Sequence, residues 1–319
     1  MPLIETVGSG SARAFGFNSS QIPSILITSS VSLSNFQISA TIPYFSLARP
    51  DFADLKFYQG ATSCSYWIER KVNSSFAIVW IKIPTISIGS NIIRITADGT
   101  TGNSSGVNTF EWFDDFSSGT YGSGKWNLAS PSGFSVTNSD LPSGVNHGNF
   151  CLRGGNTNNY IYGSSTWTGN YEVHERSYSS QGATNGYTRN GFSAGRDVNL
   201  QATYLDHGTE DFYIRNNEWQ AVNYTQSSGG GTQRNNWLRS KIRVFGSQAI
   251  NVSNDEFGRT ASIGPVNLYN NGTMTNWNAP FIGERGDRSP YSQTYVTYWD
   301  WFFIKKGTSA ATDPAVSII

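Results

Sequence analysis

Three groups of neighbouring acidic residues are the first places in this sequence where bond-breaking chemistry would be sought. They are Asp114-Asp115, Glu172 with Glu175, and Glu210-Asp211. Hydrolysis of a glycosidic bond needs two carboxylates that flank the scissile bond, and a strand can supply them from alternate positions on one face. Residues one or three apart point to opposite faces of a strand, so none of these groups fits. The sequence therefore disfavours a hydrolase.

A serine-nucleophile signal, Gly-x-Ser-x-Gly, occurs at residues 102–106 and again at 191–195. A nucleophile of this kind stands between a strand and a following helix. No helical periodicity follows either match, so we attribute both to the abundance of Gly and Ser. Arg285-Gly286-Asp287 is likewise interpreted as a charged turn rather than an adhesion signal.

Oxygen donors of the kind that Ca²⁺ prefers occur at Asp206-His207, Asn254-Asp255-Glu256 and Asp287. Their spacing matches no calcium-binding loop, and Asp and Asn favour β-turns for backbone reasons. The histidines are too few and too scattered for a zinc motif; they are His147, His174 and His207. We therefore expect no cofactor, and Ca²⁺ remains an alternative that no motif supports.

Sugar binding is the sharper hypothesis, because several stretches combine aromatic rings with amide and carboxylate groups. These stretches lie around Tyr204–His207, Glu218-Trp219, Tyr224 and Asn235–Trp237, which we interpret as loops. The predicted ligand-binding residues are Asp206, His207, Trp219, Tyr224 and Trp237. The alternative is that the aromatics belong to the core or to a protein interface, where such residues are also enriched.

Composition favours a β protein with short strands and many turns. The chain has 319 residues, of which 14% are charged with no net charge, 14% are aromatic and 33 are Gly. No basic patch suggests nucleic-acid binding, and no run of about 20 apolar residues predicts membrane insertion. The start lacks a signal-peptide pattern, so we expect synthesis in the cytoplasm without export. Cys64 and Cys151 are predicted to be free thiols.

Hydrophobic periodicity identifies the strands that must position any site. Phe36–Ile42 alternates, with Phe36, Ile38, Ala40 and Ile42 on one face. Phe76–Ile83 is apolar on both faces, which predicts a central strand that Pro84 ends. Tyr295–Lys306 is aromatic on both faces and is also predicted to be central. Strands of this kind separated by turn residues predict an all-β fold of two tandem β-sandwiches.

The stretch Phe110–Phe116 marks the joint between the two halves. Four aromatics in seven residues need a core, whereas the acids between them need solvent or a turn. A polar stretch, 98–109, precedes it and resembles a linker. The predicted domains are an N-terminal arm at 1–18, a β-sandwich docking domain at 19–109, a second sandwich at 110–306 and a C-terminal tail at 307–319.

Four segments carry a resemblance to an uncharacterised microbial β-sandwich family, a domain of unknown function; they are Asp54–Phe57, Tyr66–Glu69, Val79–Pro84 and Ile92–Ile95. That family commonly precedes a concanavalin-A-like lectin or glucanase domain. Its Phe-Asp-Asp-Phe step opens the second domain, as Phe113–Phe116 would here, and a Lys-Trp pair follows, as at Lys125-Trp126. The resemblance implies that the second sandwich is a concanavalin-A-like jelly roll. One departure is Ala97–Gly99, where the family has a Tyr-Gly-Asn-like step.

The opening, Leu3–Gly16, resembles the start of tail- and fibre-associated proteins of tailed phages. A virion location would reconcile a family of surface proteins with the lack of an export signal. We therefore expect a non-enzymatic structural protein of a tailed phage particle, either tail fibre or capsid decoration. Its partners would be other virion proteins, further copies of itself, for instance in a trimer, and host surface polysaccharide. The alternatives are a bacterial lectin or adhesin and, less favoured, a polysaccharide depolymerase.

Overall fold

The computed structural model describes most of the chain in segments: residues 21–121, 124–128, 134–145, 150–155, 160–165, 167, 169–179, 187–193, 202–207, 212–215, 225–227, 237–245, 248–255, 260–267, 279–285, 296–309 and 312–319. The description covers the backbone alone within 187–227, 251–255 and 260–267, in 279–285 except Ile282, and at residues 128, 155, 160, 162, 179 and 249. The predicted N-terminal arm, 1–18, lies outside these residues. None of the helices in the described segments is long and apolar enough to cross a membrane.

The described chain is built almost wholly from strands. The first six are β1 (Ser24–Ser29), β2 (Leu33–Pro43), β3 (Leu55–Gln59), β4 (Thr62–Val72), β5 (Phe76–Ile86) and β6 (Gly89–Ala97). After the short helix α1 (Gly106–Thr109) come β7 (Trp112–Asp114), β8 (Trp126–Leu128), β9 (Phe134–Thr137), β10 (Cys151–Gly155), β11 (Tyr160–Gly163), β12 (Tyr171–Ser179), β13 (Tyr187–Ser193) and β14 (Ala202–His207). The remainder are β15 (Phe212–Arg215), β16 (Thr225–Ser227), β17 (Trp237–Phe245), β18 (Gln248–Asp255), β19 (Thr260–Asn267), β20 (Ala279–Arg285), β21 (Val296–Lys306) and β22 (Ala315–Ile318).

The chain divides into two compact units, and the division falls after Phe113. The first unit holds the described residues up to Phe113 together with Thr312–Ile319, and the second holds those of Asp114–Ala311. The sequence places the boundary four residues earlier, between 109 and 110. The all-β prediction is confirmed, because strands dominate the part of each unit that the structure describes, where helix is limited to the single short turn α1.

The first unit is one antiparallel sheet with the order β2-β5-β4-β3-β6-β1-β22. The predicted inward face of β2 is confirmed, since its alternating apolar side chains, Phe36, Ile38, Ala40 and Ile42, are all buried. They join a core that β5 and β6 complete with further aliphatic residues. Burial of these apolar side chains is the dominant favourable contribution to the folding of this unit.

Strand β5 lies between β2 and β4, as its apolar pattern predicts, but it does not end at Pro84. It continues to Ile86 because pairing with β4 reaches only as far as Lys82, whereas pairing with β2 continues to Ile86. Beyond Lys82 the strand therefore has a paired neighbour on one side only. A proline, which lacks the backbone N–H, is tolerated at such an edge position.

The segment predicted to be a C-terminal tail contains a strand of the first unit. Strand β22 pairs antiparallel with β1, and backbone hydrogen bonds join Ser24 and Ile319 in both directions at 2.9 Å. Val316 and Ile318 pack against the core of this unit. Residues 114–311 are thus an insertion between the sixth and the seventh strand of the first sheet.

The second unit contains two antiparallel sheets. One has the order β19-β18-β17-β12-β21-β10-β9, and the other has the order β16-β15-β14-β13-β20-β11-β8. The prediction that β21 is central is confirmed, because β12 and β10 flank it and its residues from Thr297 to Lys305 are buried. A sheet with cover on both faces explains why aromatic residues occur at odd and even positions alike.

Two hydrogen bonds to Asp114 connect the aromatic joint, Phe110–Phe116, with the Lys-Trp pair that follows it. Asp114 is buried, and its Oδ1 accepts the N–H of Phe116 at 2.9 Å while its Oδ2 accepts the indole N–H of Trp126, also at 2.9 Å. Burial raises the pKa of Asp114 above its ordinary value, although these hydrogen bonds and Lys125 oppose the shift. Of the two acids at the joint, the first therefore belongs to the core.

We expect Trp126→Phe to lower the free energy of unfolding by about 1–3 kcal/mol, because the variant leaves the buried Asp114 Oδ2 without its donor. Denaturant titration followed by a double-mutant cycle with Asp114→Asn isolates this contact. A coupling energy near zero would show that the hydrogen bond does not join the two residues energetically.

Candidate functional site

Strand β12 of the second unit carries four ionisable residues within five positions, which are Glu172, His174, Glu175 and Arg176. All four are buried. Alternate residues of a strand point to opposite sides of a sheet. We name the side with Glu172, His174 and Arg176 the Glu172 face and the other side the Glu175 face. The expectation that the two glutamates point to opposite faces is confirmed.

On the Glu172 face, the carboxylate of Glu172 is enclosed by cations from both neighbouring strands. Arg243 of β17 and Lys305 of β21 are in register with Glu172. The guanidinium of Arg243 donates to Oε1, and Lys305 Nζ lies 3.4 Å from Oε2. His174 Nε2 is 2.8 Å from the same Oε2, and its ring stacks on Phe303 at 4.7 Å. Every oxygen of this fully buried carboxylate is thus engaged.

The protonation states follow from this arrangement. Burial alone would raise the pKa of Glu172, but the charges of Lys305 and Arg243 and the hydrogen bond with His174 hold it well below its ordinary value. Burial lowers the pKa of His174 to about 4, despite the opposing effect of Glu172. At neutral pH the glutamate is therefore an anion, and the histidine is neutral and donates its Nε2–H to it.

A second ion pair lies further along the same face. Arg176 Nη1 donates to Asp300 Oδ2 at 2.6 Å, and both residues are buried. The guanidinium carbon of Arg176 lies 4.0 Å from the ring centroid of Trp237, whose indole N–H donates to the carbonyl of Ser143 at 2.7 Å. The register between β12 and β21 shifts after Arg176, at the position of Asp300. The irregularity makes room for this carboxylate beside the arginine.

On the Glu175 face, the carboxylate is held by neutral donors. Ser240 donates to Oε1 at 3.0 Å and Ser177 donates to the same oxygen at 3.3 Å, while the indole of Trp299 donates to Oε2 at 3.0 Å. Glu172 and Glu175 are therefore anchored by separate sets of partners on separate faces. The pair cannot flank one scissile bond, which is the geometry that two-carboxylate hydrolysis requires.

Of the five predicted sugar-binding residues, Trp237 is the one whose side chain the structure describes, so the grouping of these residues stays a prediction. Asp206 and His207 lie in strand β14 and not in a loop, because this segment pairs with β13 and β15. Their side chains, and the whole of Trp219 and Tyr224, lie outside the described residues. Trp237 is buried, with 4% of its surface exposed. Its ring packs beneath Arg176, so it does not present an open stacking surface.

The Gly-x-Ser-x-Gly match at 102–106 is explained by packing. A Cβ on Gly102 would lie 2.1 Å from the Tyr66 hydroxyl and 2.4 Å from the Leu55 carbonyl oxygen. Ser104 Oγ accepts the N–H of Ile68 at 2.9 Å, and Ser105 caps α1, the one-turn helix that periodicity failed to predict. For the match at 191–195, the backbone of Gly191–Ser193 lies in strand β13, and Ala194-Gly195 is outside the described residues.

We expect Gly102→Ala to lower the free energy of unfolding by about 1–3 kcal/mol, because the added methyl group overlaps the Leu55 carbonyl oxygen, which can yield only through a shift of the main chain. Thermal and denaturant unfolding measure the change. Asn103→Ala, at the exposed neighbouring position, serves as the control, and equal stability of the two variants would contradict the packing explanation.

Other sequence signals have the following outcomes. Within the described ranges no three His, Cys, Asp or Glu side chains are placed to hold a metal ion. Asn254-Asp255 lies in strand β18, whereas Glu256 and Asp287 fall outside the description. Arg285 ends strand β20, and the next two residues of the Arg-Gly-Asp match are not described. Cys64 and Cys151 are free and buried, as predicted.

Sequence reasoning missed the residues that pair with Glu172 and Arg176. Arg243 and Lys305 pair with Glu172, and Asp300 pairs with Arg176. Arg239, Lys241 and Arg243 alternate along β17, and Lys305 ends a strongly apolar strand. Alternating charge in a strand with apolar neighbours is the signal that would have identified them. Glu172, the partner of Arg243 and Lys305, is more than sixty residues away from both in the sequence, so the pairing itself needs the strand register.

Comparisons with known proteins identify a domain of this chain but no activity. A family model described as "Domain of unknown function (DUF2341)" matches residues 51–129, which include much of the first sheet, the aromatic joint and Trp126. The match agrees with the resemblance to an uncharacterised β-sandwich family. No curated protein matches the sequence.

Several solved structures are similar to the chain at low sequence identity. The GH16 protein of a mixed-linkage glucan PUL (MLGUL) from Bacteroides ovatus is 9% identical over 60% of this chain and 99% of its own, with a TM-score of 0.44. The cellulose-induced protein Cip1 is 13% identical over 63% and 98%, with a TM-score of 0.42. A seed lectin from Lotus tetragonolobus is 8% identical over 59% and 97%, with a TM-score of 0.36.

Proposed function

We propose that this chain is a non-enzymatic structural protein of a tailed phage particle, as tail fibre or capsid decoration. In this proposal the second unit contacts host surface glycan or neighbouring subunits. The observation that carries the non-enzymatic part is the separate anchoring of Glu172 and Glu175. Each carboxylate is buried and held by fixed partners on its own face of the sheet. Such polar centres specify and rigidify a core.

The virion location is supported by the resemblance of Leu3–Gly16 to tail- and fibre-associated proteins. The test is recovery of the protein with purified particles from an induced or infected culture of the strain that carries the gene. Copy number per particle is then measured by quantitative mass spectrometry. We expect a fixed, multiple copy number after density-gradient purification. Recovery only in the soluble fraction would contradict a structural role.

The main alternative is a bacterial lectin or adhesin. Such a protein would also bind surface glycan, but it would not be part of a phage particle. Retention of the protein on host surface polysaccharide, without co-purification with particles, would favour it. A depolymerase is a third hypothesis, and its test is release of reducing ends from the same polysaccharide. We expect no release above that of heat-denatured protein.

A further inference from the structure

We infer that an exposed apolar face of the first unit packs against the same face of a second copy of this chain. The face is formed by strands β6, β1 and β22, which are neighbours in the first sheet. Its centre is the cross-strand pair of Leu26 and Ile92, and we name the surface around this pair the Ile92 face. The inference concerns the first unit, so it is separate from the proposed glycan contact of the second unit.

The two sides of these strands differ in exposure. Ile25 and Ile93 are fully buried in the core, and the residues next to them in each strand lie on the opposite side of the sheet. On that side Ile92 has 58% of its surface exposed, and its partner Leu26 is half-buried. Ile319, which extends β22 by one residue through backbone hydrogen bonds to β1, is 52% exposed. The Ile92 face therefore presents apolar side chains from adjacent strands to solvent.

More exposed apolar side chains border the Ile92 face. Ile22 precedes β1, Val31 lies in the turn that follows β1, and Ile88 lies in the bend that precedes β6. Five of the eight large apolar side chains that are exposed in the described part of the chain thus lie on this face or at its border. Single exposed apolar residues are common on protein surfaces, whereas a concentration of them on one side marks an interaction site.

The distribution of charge identifies a second copy as the partner. Arg94 is the one charged residue in the sequences of β1, β6 and β22. Its guanidinium carbon lies 5.0 Å from the ring centroid of Tyr58 in β3, the strand that flanks β6 on the side away from β1. When identical faces meet across a two-fold axis, a charge near the axis meets its own copy and is repelled. An uncharged centre avoids this cost, and it offers a charged partner nothing with which to pair.

The side chains around Leu26 and Ile92 also suit contact with another sheet. Neighbouring positions on the same side carry small hydroxyl side chains, and all three are exposed; they are Thr28, Ser90 and Ser317. Two sheets pack face to face about 10 Å apart when apolar side chains of each fill the space between them. Leu26 and Ile92 have the size that fills such a space, and their small neighbours let a facing sheet approach. A second copy supplies the same combination.

The test is sedimentation velocity of the full-length protein from nanomolar to high micromolar concentration, which measures the mass of the particle in solution. Ile92→Glu places a charge at the centre of the face, and Ile92→Thr removes apolar surface while it keeps the branched shape. Val107→Glu is the matched control, because Val107 of α1 is also exposed, at 64%, and the variant adds the same charge to the same unit. Circular dichroism and denaturant unfolding verify that each variant is folded.

We expect the parent protein and Val107→Glu to form dimers with equal dissociation constants. Ile92→Glu should raise the dissociation constant about a hundredfold, because like charges then meet across the contact, and Ile92→Thr should raise it about tenfold. A parent protein that stays monomeric at every concentration would overturn the inference. Equal association of Ile92→Glu and Val107→Glu, or assembly into trimers, would also overturn it. Recovery of the protein with particles tests the structural role separately, whichever of these results is found.

Discussion

Glu172→Gln is expected to lower the free energy of unfolding by about 3–5 kcal/mol, because it leaves buried cations without their anion. Arg243 and Lys305 are both almost fully buried and both lie against this carboxylate. Water has little access to these charges at this depth, so it does not replace the lost ion pairs. Urea titration at pH 7 measures the change, with tryptophan fluorescence as the signal.

Glu111→Gln is the matched control for this prediction. Glu111 also pairs with a lysine, at 3.6 Å from Lys82, but both side chains keep about a quarter of their surface exposed. Pairs of this exposure contribute about 1 kcal/mol or less. If the two variants were equally stable, the network around Glu172 would not be the anchor that its geometry indicates.

Lowering the pH from 7 to 4 is expected to reduce stability by about 3 kcal/mol through His174 alone. Burial holds the folded-state pKa at about 4, against an ordinary value of 6.5, and each unit of difference is worth about 1.4 kcal/mol. Between pH 4 and pH 6.5, His174 binds a proton in the unfolded chain but not in the folded chain. Stability is therefore complete above pH 6.5 and declines as the pH falls towards 4.

His174→Gln separates this effect from other titrations, because glutamine can still donate to Glu172 but does not ionise in this range. The difference in unfolding free energy between the two proteins should change across pH 6.5 to 4. The low pKa of Glu172 affects stability at a lower pH than His174 does. Below the ordinary glutamate value of 4.5 the unfolded chain binds a proton at Glu172, and protonation of this carboxylate further destabilises the fold. A pH-independent difference between the two proteins would contradict the assigned states.

The strands could be predicted from sequence where the hydrophobic period was regular. The inward face of β2 and the central position of β21 both follow from which positions are apolar. The end of β5 was predicted wrongly, because a proline stops a strand only where its missing N–H faces a partner. That depends on which neighbour extends further, and the local sequence does not contain this information.

The buried charged contacts around Glu172 and Glu175 could be predicted only in part. Strand alternation correctly separates Glu172 from Glu175, since it depends only on sequence spacing. The anchoring of Glu172 depends on Arg243 and Lys305, which come from the two strands that flank β12. Such contacts are set by the register between distant strands, and register is decided by the whole sheet. Trp237 shows the same limit, because burial beneath Arg176 cannot be recognised from its polar sequence neighbours.

The pairing of β22 with β1 in the first sheet has a consequence for folding during synthesis of the chain. As the ribosome makes the chain, β1 emerges early and β6 can pair with one of its edges, but β22, which pairs with the other edge, is made only after residues 114–311. Throughout that interval β1 carries an unpaired backbone edge, which can attract other nascent chains. The first sheet therefore completes its strand set only after the insertion has been made, and slow translation of the insertion prolongs the exposure of this edge.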